Sequence, residues 1–500
     1  MNPPAAGRRT VAVAPTDVTT GSATGASATA PSAASAGALA GIVTVVVIGS
    51  VMSVLDMTIV NVALRPLATA FRAPLADVQW IATGYTLALT AVTPLAAWAL
   101  GRFGGRSSYL TAVTLFTAGS LLAALAWSPA SLVLFRVCQG LGGGLLMPLG
   151  MAMVLRAAGR ERMGRAMALL GIPVLVGPVS GPVLGGWLID TLSWRWIFLV
   201  NLPVGALALV LAARLLPRES ARTAERLDLP GLLTLSPGLA LLIYGLATGG
   251  AHGSLTAPGA LLPALAGLLL IAGFLRRALT TDRPLLRLGL FGNRTFAAGA
   301  ATMLLAPAGY FGAMLLTPMY YQAVRGLSPT AAGLLGAPLA LAVGTSMQLA
   351  TRRVGRGSPR YGILTGILLA VLGLALFTAP LGAHTPYRWL CAAQLVLGTG
   401  IGMVLMPTNT TATRALAAEE IPFGSTLLSI VSQVGSAAGT ALLSVVLAAR
   451  SGSGGAGAPT AAAFRDTYWW AVALLALAAV PALLLPARPG DRPPVTARRR

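Results

Sequence analysis

What most constrains this chain is a succession of apolar stretches, each about long enough to cross a bilayer, separated by short loops marked with Arg, Gly or Pro. About 20 apolar residues span the hydrocarbon core. The sequence offers fourteen such stretches, from 39–64 to 467–486, with the second and third near 80–100 and 107–127. Composition agrees with this reading. The chain is 56% hydrophobic and 10% charged, with a mean hydropathy of +0.78, whereas a soluble domain carries about 25% charge. The prediction is an all-α integral membrane protein with 14 transmembrane helices.

The net charge of +22 resembles a nucleic-acid signal only until the basic residues are located. All 35 are Arg, none is Lys, and most sit in the short loops. With both termini placed in the cytoplasm, 27 Arg fall on the cytoplasmic side, seven on the opposite side, and Arg136 inside a span. A miscounted helix would scramble that alternation, so the positive-inside rule supports fourteen crossings. A nucleotide-binding loop of the Gly-x4-Gly-Lys-Ser/Thr kind needs a Lys, which excludes an ATP-driven pump built from this chain alone. Cys138 and Cys391 lie within apolar runs, and His252 and His384 in loops. No disulfide framework, metal site or bound cofactor is therefore expected.

The chain also repeats itself. Gly140 to Met147-Pro148, followed by Arg156, resembles Gly398 to Met406-Pro407, followed by Arg414, at an offset of 258 residues. Spans one and nine begin 257 residues apart. The expected plan is a disordered cytoplasmic tail over 1–37 and a six-helix half over 38–217. A linker with a two-helix insert follows over 218–292, then a second six-helix half over 293–486 and a basic tail over 487–500. Parallel halves related by an axis along the membrane normal are a known transporter plan.

Twelve of the thirteen acidic residues lie in loops, tails or at a helix end; only Asp56 lies well inside a span. A carboxylate at that depth is costly unless it faces water or a partner, and desolvation favours its neutral form. A group that loads and releases a proton suits that position, as does a structural carboxylate bonded to Ser53 or Thr58. Arg136, with Gln139 one turn on, is the only basic residue well inside a span. It cannot deprotonate. Its open roles are tuning a nearby acid, binding an anion, pinning a helix, or snorkelling to the interface.

Span five carries Gly171, Gly177-Pro178, Gly181-Pro182 and Gly185-Gly186. Glycines every fourth residue allow close helix approach and the prolines bend the helix, which suits a hinge or sliding seal between halves, or ordinary close packing. Asn201, in span six, reads equally as functional or as a helix-to-helix hydrogen bond. Gln139 in span four, Tyr310 and Met314 in span nine, and Gln394 and Asn409 in span twelve are the expected substrate-cavity residues, suited to varied apolar shapes, with packing as the plainer alternative.

Taken together, these motifs resemble the major facilitator superfamily, and within it the fourteen-helix drug:proton antiporters. Leu55 to Leu64 resembles the first-helix signature, Arg136-Val-Cys-Gln139-Gly140 the fourth-helix signature, Gly171 to Gly186 the antiporter motif, and Trp194 to Gly205 the start of helix six. The resemblance implies that Asp56 is a protonation site assisted by Arg136, and that helices 1, 4, 9 and 12 line a central cavity. It implies a monomer in the cell membrane that exports amphipathic drugs or antibiotics against protons. An importer on the same fold and, more remotely, a membrane enzyme are the alternatives. One departure stands out: in the loop between helices two and three, Arg102, Gly104 and Arg106 match the family pattern, but Gly101 replaces an acid expected to latch the cytoplasmic side.

Overall fold

The computed structural model describes residues 36–170, 172–218, 227–281, 284–353, 358–451 and 459–487. In chain order the helices are α1 (Ala36–Phe71), α2 (Leu75–Val92), α3 (Leu95–Ala124), α4 (Pro129–Leu169), α5 (Ile172–Thr191), α6 (Trp196–Leu199) and α7 (Asn201–Leu215). There follow α8 (Leu229–Ala251), α9 (Pro258–Thr280), a 3-10 turn (Leu288–Gly292), α10 (Arg294–Ala323), α11 (Pro329–Leu334) and α12 (Ala337–Arg353). The last are α13 (Pro359–Thr378), α14 (Tyr387–Arg414), α15 (Ile421–Arg450), α16 (Ala461–Leu477) and α17 (Ala479–Ala482). Every regular element among the described residues is helical.

Twelve crossings among the described residues pass on length and hydropathy, with α6–α7, α11–α12 and α16–α17 each making one. The 18-residue α2, polar at its start through Asp77 and Gln79, and the 20-residue α5 bring the helices to a number compatible with fourteen. Polar caps fix several starts: Asp228, Asn293, Ser328, Ser358 and Thr460 each accept a backbone N–H of the following turn, satisfying donors that a helix end leaves free.

Two boundaries differ from the sequence reading. The fourth span, expected to end near 155, continues as helix to Leu169. Its extension, Arg156 to Leu169, consists mainly of Ala, Arg, Met, Glu and Leu, strong helix formers that need no bilayer to stay helical. The expected loop between the second and third spans is a single sharp turn inside α3. Thr93 and Pro94 separate α2 from α3, and the chain then runs helically to Gly104, whose φ of 76° and ψ of 166° reverse it. That conformation is open to glycine and closed to residues with a Cβ.

Close approach repeats across the molecule. A Cβ on Gly140 would strike the Tyr85 carbonyl and Ala88; one on Gly398 would strike the Leu339 carbonyl and Ala342. Gly142 abuts the backbone of Ala112 and Phe116, and Gly400 that of Gly366 and Ala370. Gly119 meets the backbone of Gln139, and Gly373 that of Leu397. The α2–α3–α4 packing is thus made again by α12–α13–α14.

The insert helices α8 and α9 pack on one another, and α8 also contacts α15 and α2, where Trp80 stacks on Tyr244 at 5.4 Å. Asp228 ties the insert together. Its Oδ1 accepts from Gly231 N at 3.0 Å and from Arg277 Nε at 2.8 Å, and its Oδ2 accepts from Leu285 N at 3.3 Å. A separate apolar core gathers α1, α3, α4 and α7 around Val46, Tyr109 and Phe116, and Met347, Met406 and Ile421 from the second part of the chain join it.

Gly104→Ala is expected to destabilise the protein by about 1–3 kcal/mol, the cost of forcing a Cβ into this backbone region. Gly105→Ala, where the new methyl meets the flexible Met153 side chain and, at ordinary contact distance, Leu100, should cost less. Thermal unfolding of both variants in detergent measures the difference, and equal losses would show that the reversal at Gly104 is not the constraint.

Candidate functional site

Asp56 lies on α1, roughly 20 residues into a 36-residue helix, and is wholly buried. Its oxygens meet neither hydroxyl considered from the sequence: Ser53 pairs with the Tyr85 hydroxyl at 3.2 Å, and Thr58 donates to the Leu55 carbonyl at 2.9 Å. Instead Arg136 Nη1 on α4 donates to Asp56 Oδ2 at 2.5 Å. Gln139 Nε2 on α4 and Asn201 Nδ2, at the first residue of α7, each donate to Oδ1 at 2.9 Å. Residues separated by 80, 83 and 145 positions thus converge on one carboxylate.

Arg136 does not snorkel. It is the largest fully buried side chain, and its fork is held on several sides. Nε donates to the Ile81 carbonyl at 3.3 Å, Nη1 also donates to Gln139 Oε1 at 2.8 Å, and the guanidinium carbon sits 4.0 Å from the Tyr85 ring centroid. Asn201 is held in turn: its Nδ2 also lies 3.0 Å from Ser120 Oγ, which donates to the Phe198 carbonyl at 2.9 Å. Asp56, Arg136, Gln139 and Asn201 are each at most 1% exposed. The arrangement is a buried ion pair of zero net charge in which three donors reach the carboxylate and Arg136 Nε and Nη1 are both bonded, and additional hydrogen bonds of this kind are what make such a pair tolerable. Removing one partner leaves an uncompensated charge, so protonating Asp56 leaves Arg136 in need of a new partner.

Of the residues read from the sequence as one cavity, the structure makes three groups. Gln139 belongs to the Asp56 network. Tyr310, Met314 and Gln394 line a small hollow between α10, α12, α13 and α14, together with Leu339, Leu374 and Phe377. Asn409 lies 15 residues beyond Gln394 on α14, about 22 Å along the axis, and its buried Oδ1 has no hydrogen-bond partner.

In the span-five motif, Gly181 and Gly185 turn toward α1, against Thr58 and Ile59. The close approach they allow is therefore within the first group of helices, although α5 also touches α11 and α12. Gly186 faces open space, Gly177, Pro178 and Pro182 lie within the same helix, and Gly171 lies outside the described residues. At the turn between spans two and three, Arg106 Nη2 donates to the Ala213 carbonyl near the end of α7 at 2.5 Å. Arg102 is exposed. Tyr85 and Ser120 were not singled out from the sequence; an aromatic ring and a hydroxyl on neighbouring spans carry no signal until α1, α2, α3 and α4 are seen together.

The sequence model of the Major Facilitator Superfamily matches residues 46–440. The chain is 44% identical over 405 residues to a Multidrug resistance protein B homolog of Mycobacterium tuberculosis, covering 81% of this chain and 75% of that protein. It is 33% identical over 410 residues to a Putative multidrug resistance protein MdtD of Citrobacter koseri, covering 81% and 85%. Among solved structures, the human organic anion transporter MFSD10 aligns with a TM-score of 0.63 at 16% identity over 89% of this chain and 99% of that one. The proton:xylose symporter XylE aligns with a TM-score of 0.62 at 15% identity over 88% and 94%. The structural likenesses carry the fold and the sequence likenesses carry the lineage: this multi-pass membrane protein belongs to the major facilitator superfamily.

Proposed function

We propose that the chain is a proton-driven exporter of amphipathic drugs or antibiotics, working by alternating access in the cell membrane as a monomer with both termini in the cytoplasm. The observation that carries this reading is the buried Asp56–Arg136–Gln139–Asn201 network. Relatives named for multidrug resistance support export as the direction of transport. No bound cofactor is needed, because the free energy comes from the proton gradient.

In the arrangement described, Asp56 and Arg136 form an ion pair in which each offsets the other's charge. A proton arriving from outside adds to a carboxylate oxygen and removes the charge that held Arg136 Nη1. The guanidinium, always cationic, then turns its donors to Gln139 and the Ile81 carbonyl, which it already touches. The protonated carboxyl becomes a donor, and the Asn201 amide can turn its oxygen to accept from it. Binding of proton and of substrate thereby favour different arrangements of the same helices. Two ligands drive opposite halves of a cycle only when each binds one state better than the other. With one acid in the spans, the substrate expected is a neutral or monocationic amphiphile.

The first test is accumulation of a fluorescent lipophilic cation in a pump-deficient bacterium, with and without an uncoupler. The intact protein should lower accumulation only while the gradient stands, and Asp56→Asn should abolish that effect. Uncoupler-sensitive export by the Asn variant would sink the coupling role, and gradient-driven uptake would reverse the direction. Arg136→Lys should lose about tenfold or more of the export rate, because an ammonium cannot reproduce the planar fork that reaches Asp56, Gln139 and Ile81 together. Asn201→Leu removes one of two donors to Oδ1 and should slow export about tenfold, measured as the initial rate of dye extrusion at matched membrane expression.

A further inference from the structure

The glycine contacts that recur between the two parts of the chain give a register for the buried sites. Gly140 pairs with Gly398, so Arg136 corresponds to Gln394 and Gln139 to Leu397. The backbone that Gly140 touches is Tyr85 and that which Gly398 touches is Leu339, so these also correspond. Gly119 corresponds to Gly373, which sets Ser120 against Leu374. Leu339, Leu374, Gln394 and Leu397 all line the hollow beside α10, where the facing side chains are Tyr310 and Met314. The hollow is thus the second copy of the Asp56 site with its charges removed.

One polar group in this copy lacks a partner. Gln394 is 1% exposed. Its Nε2 donates to the Tyr321 hydroxyl at 2.9 Å, while its Oε1 has no hydrogen-bond partner. A buried acceptor without a donor is unfavourable, and this one lines a space with room at its centre for about one water molecule. Such a space admits a hydroxyl or N–H group while the body of the ligand lies outside it. Met314, an unbranched thioether chain, is the wall best able to turn aside.

We propose that the hollow is a substrate subsite in which Gln394 Oε1 accepts a hydrogen bond from a single O–H or N–H donor at the end of an apolar, uncharged or singly charged amphiphile. Naming the ligand a transport substrate rests on the export reading; the binding itself does not. The first copy of the site then manages the proton and the second reads a neutral donor.

The test is equilibrium dialysis of the purified full-length protein in detergent, against an empty-micelle blank, with 2-naphthol and 2-fluoronaphthalene. These probes share a ring system and differ chiefly in one donor. The intact protein should bind 2-naphthol about tenfold more tightly, the worth of one net hydrogen bond. Gln394→Leu, or Gln394→Met if the leucine variant does not accumulate, should erase that preference. Met314→Trp should weaken 2-naphthol binding. An unchanged preference in both Gln394 variants, or equal binding of the two probes by the intact protein, overturns the proposal and leaves the hollow to water. A preference lost in Asp56→Asn but kept in Gln394→Leu also overturns it, by placing the donor at the first site. No gradient is present in dialysis, so a failure of proton-driven export would not alter these outcomes.

Discussion

A single ion pair sets the terms for the first part of this structure. Asp56 and Arg136 sit where neither charge is tolerated alone, and each is bearable only because the other is there. Keeping them together demands that α1 and α4 stay in register. That demand is met by Gly150 of α4 against Val46 of α1, and α4 is held in turn by Gly142 against α3, by Gly119 of α3 against Gln139, by Gly140 and Gly144 against α2, and by the Tyr85 ring over the guanidinium. The glycines are not passive spacers here. They bring backbones close enough for side chains from α4 and α7 to reach one carboxylate on α1. A site so dependent on one pair is also sensitive to any change of protonation, which is what a coupling element requires.

Much of this was legible before any coordinates. Asp56 and Arg136 stood out because charge inside an apolar run is costly, and the spans because Arg punctuates the loops in a fixed alternation. The turn at 101–106 was visible as a cluster of Gly and Arg. What was not legible is azimuth. Nothing in the sequence states that residue 136 points at residue 56, or that Asn201, at a break between two helices, reaches the same carboxylate. The grouping of the cavity residues was hidden for the same reason: Gln139, Gln394 and Asn409 share a chemistry but occupy three places. The extension of α4 past 155 was hidden because a hydropathy reading ends where charge begins, whereas backbone hydrogen bonding does not.

The repeat gains meaning from its inequality. Both parts of the chain use the same glycine contacts, so the backbone of the second copy is as well prepared for a charged cluster as the first. Its side chains went another way: Gln394 where Arg136 stands, Leu397 where Gln139 stands, Leu374 where Ser120 stands. Duplicated scaffolding with divergent filling lets one fold hold two kinds of site without either compromising the other's electrostatics.

The insert carries a consequence for how molecules reach the interior. Because α8 lies against both α2 and α15, the insert faces the side of the molecule on which those two helices run, and α9, packed on α8 and largely exposed along its leucines, lies to its outside. On another side α5 and α12 touch one another directly, so a molecule approaching from the surrounding lipid meets two unlike flanks, one faced by the insert and one where α5 meets α12.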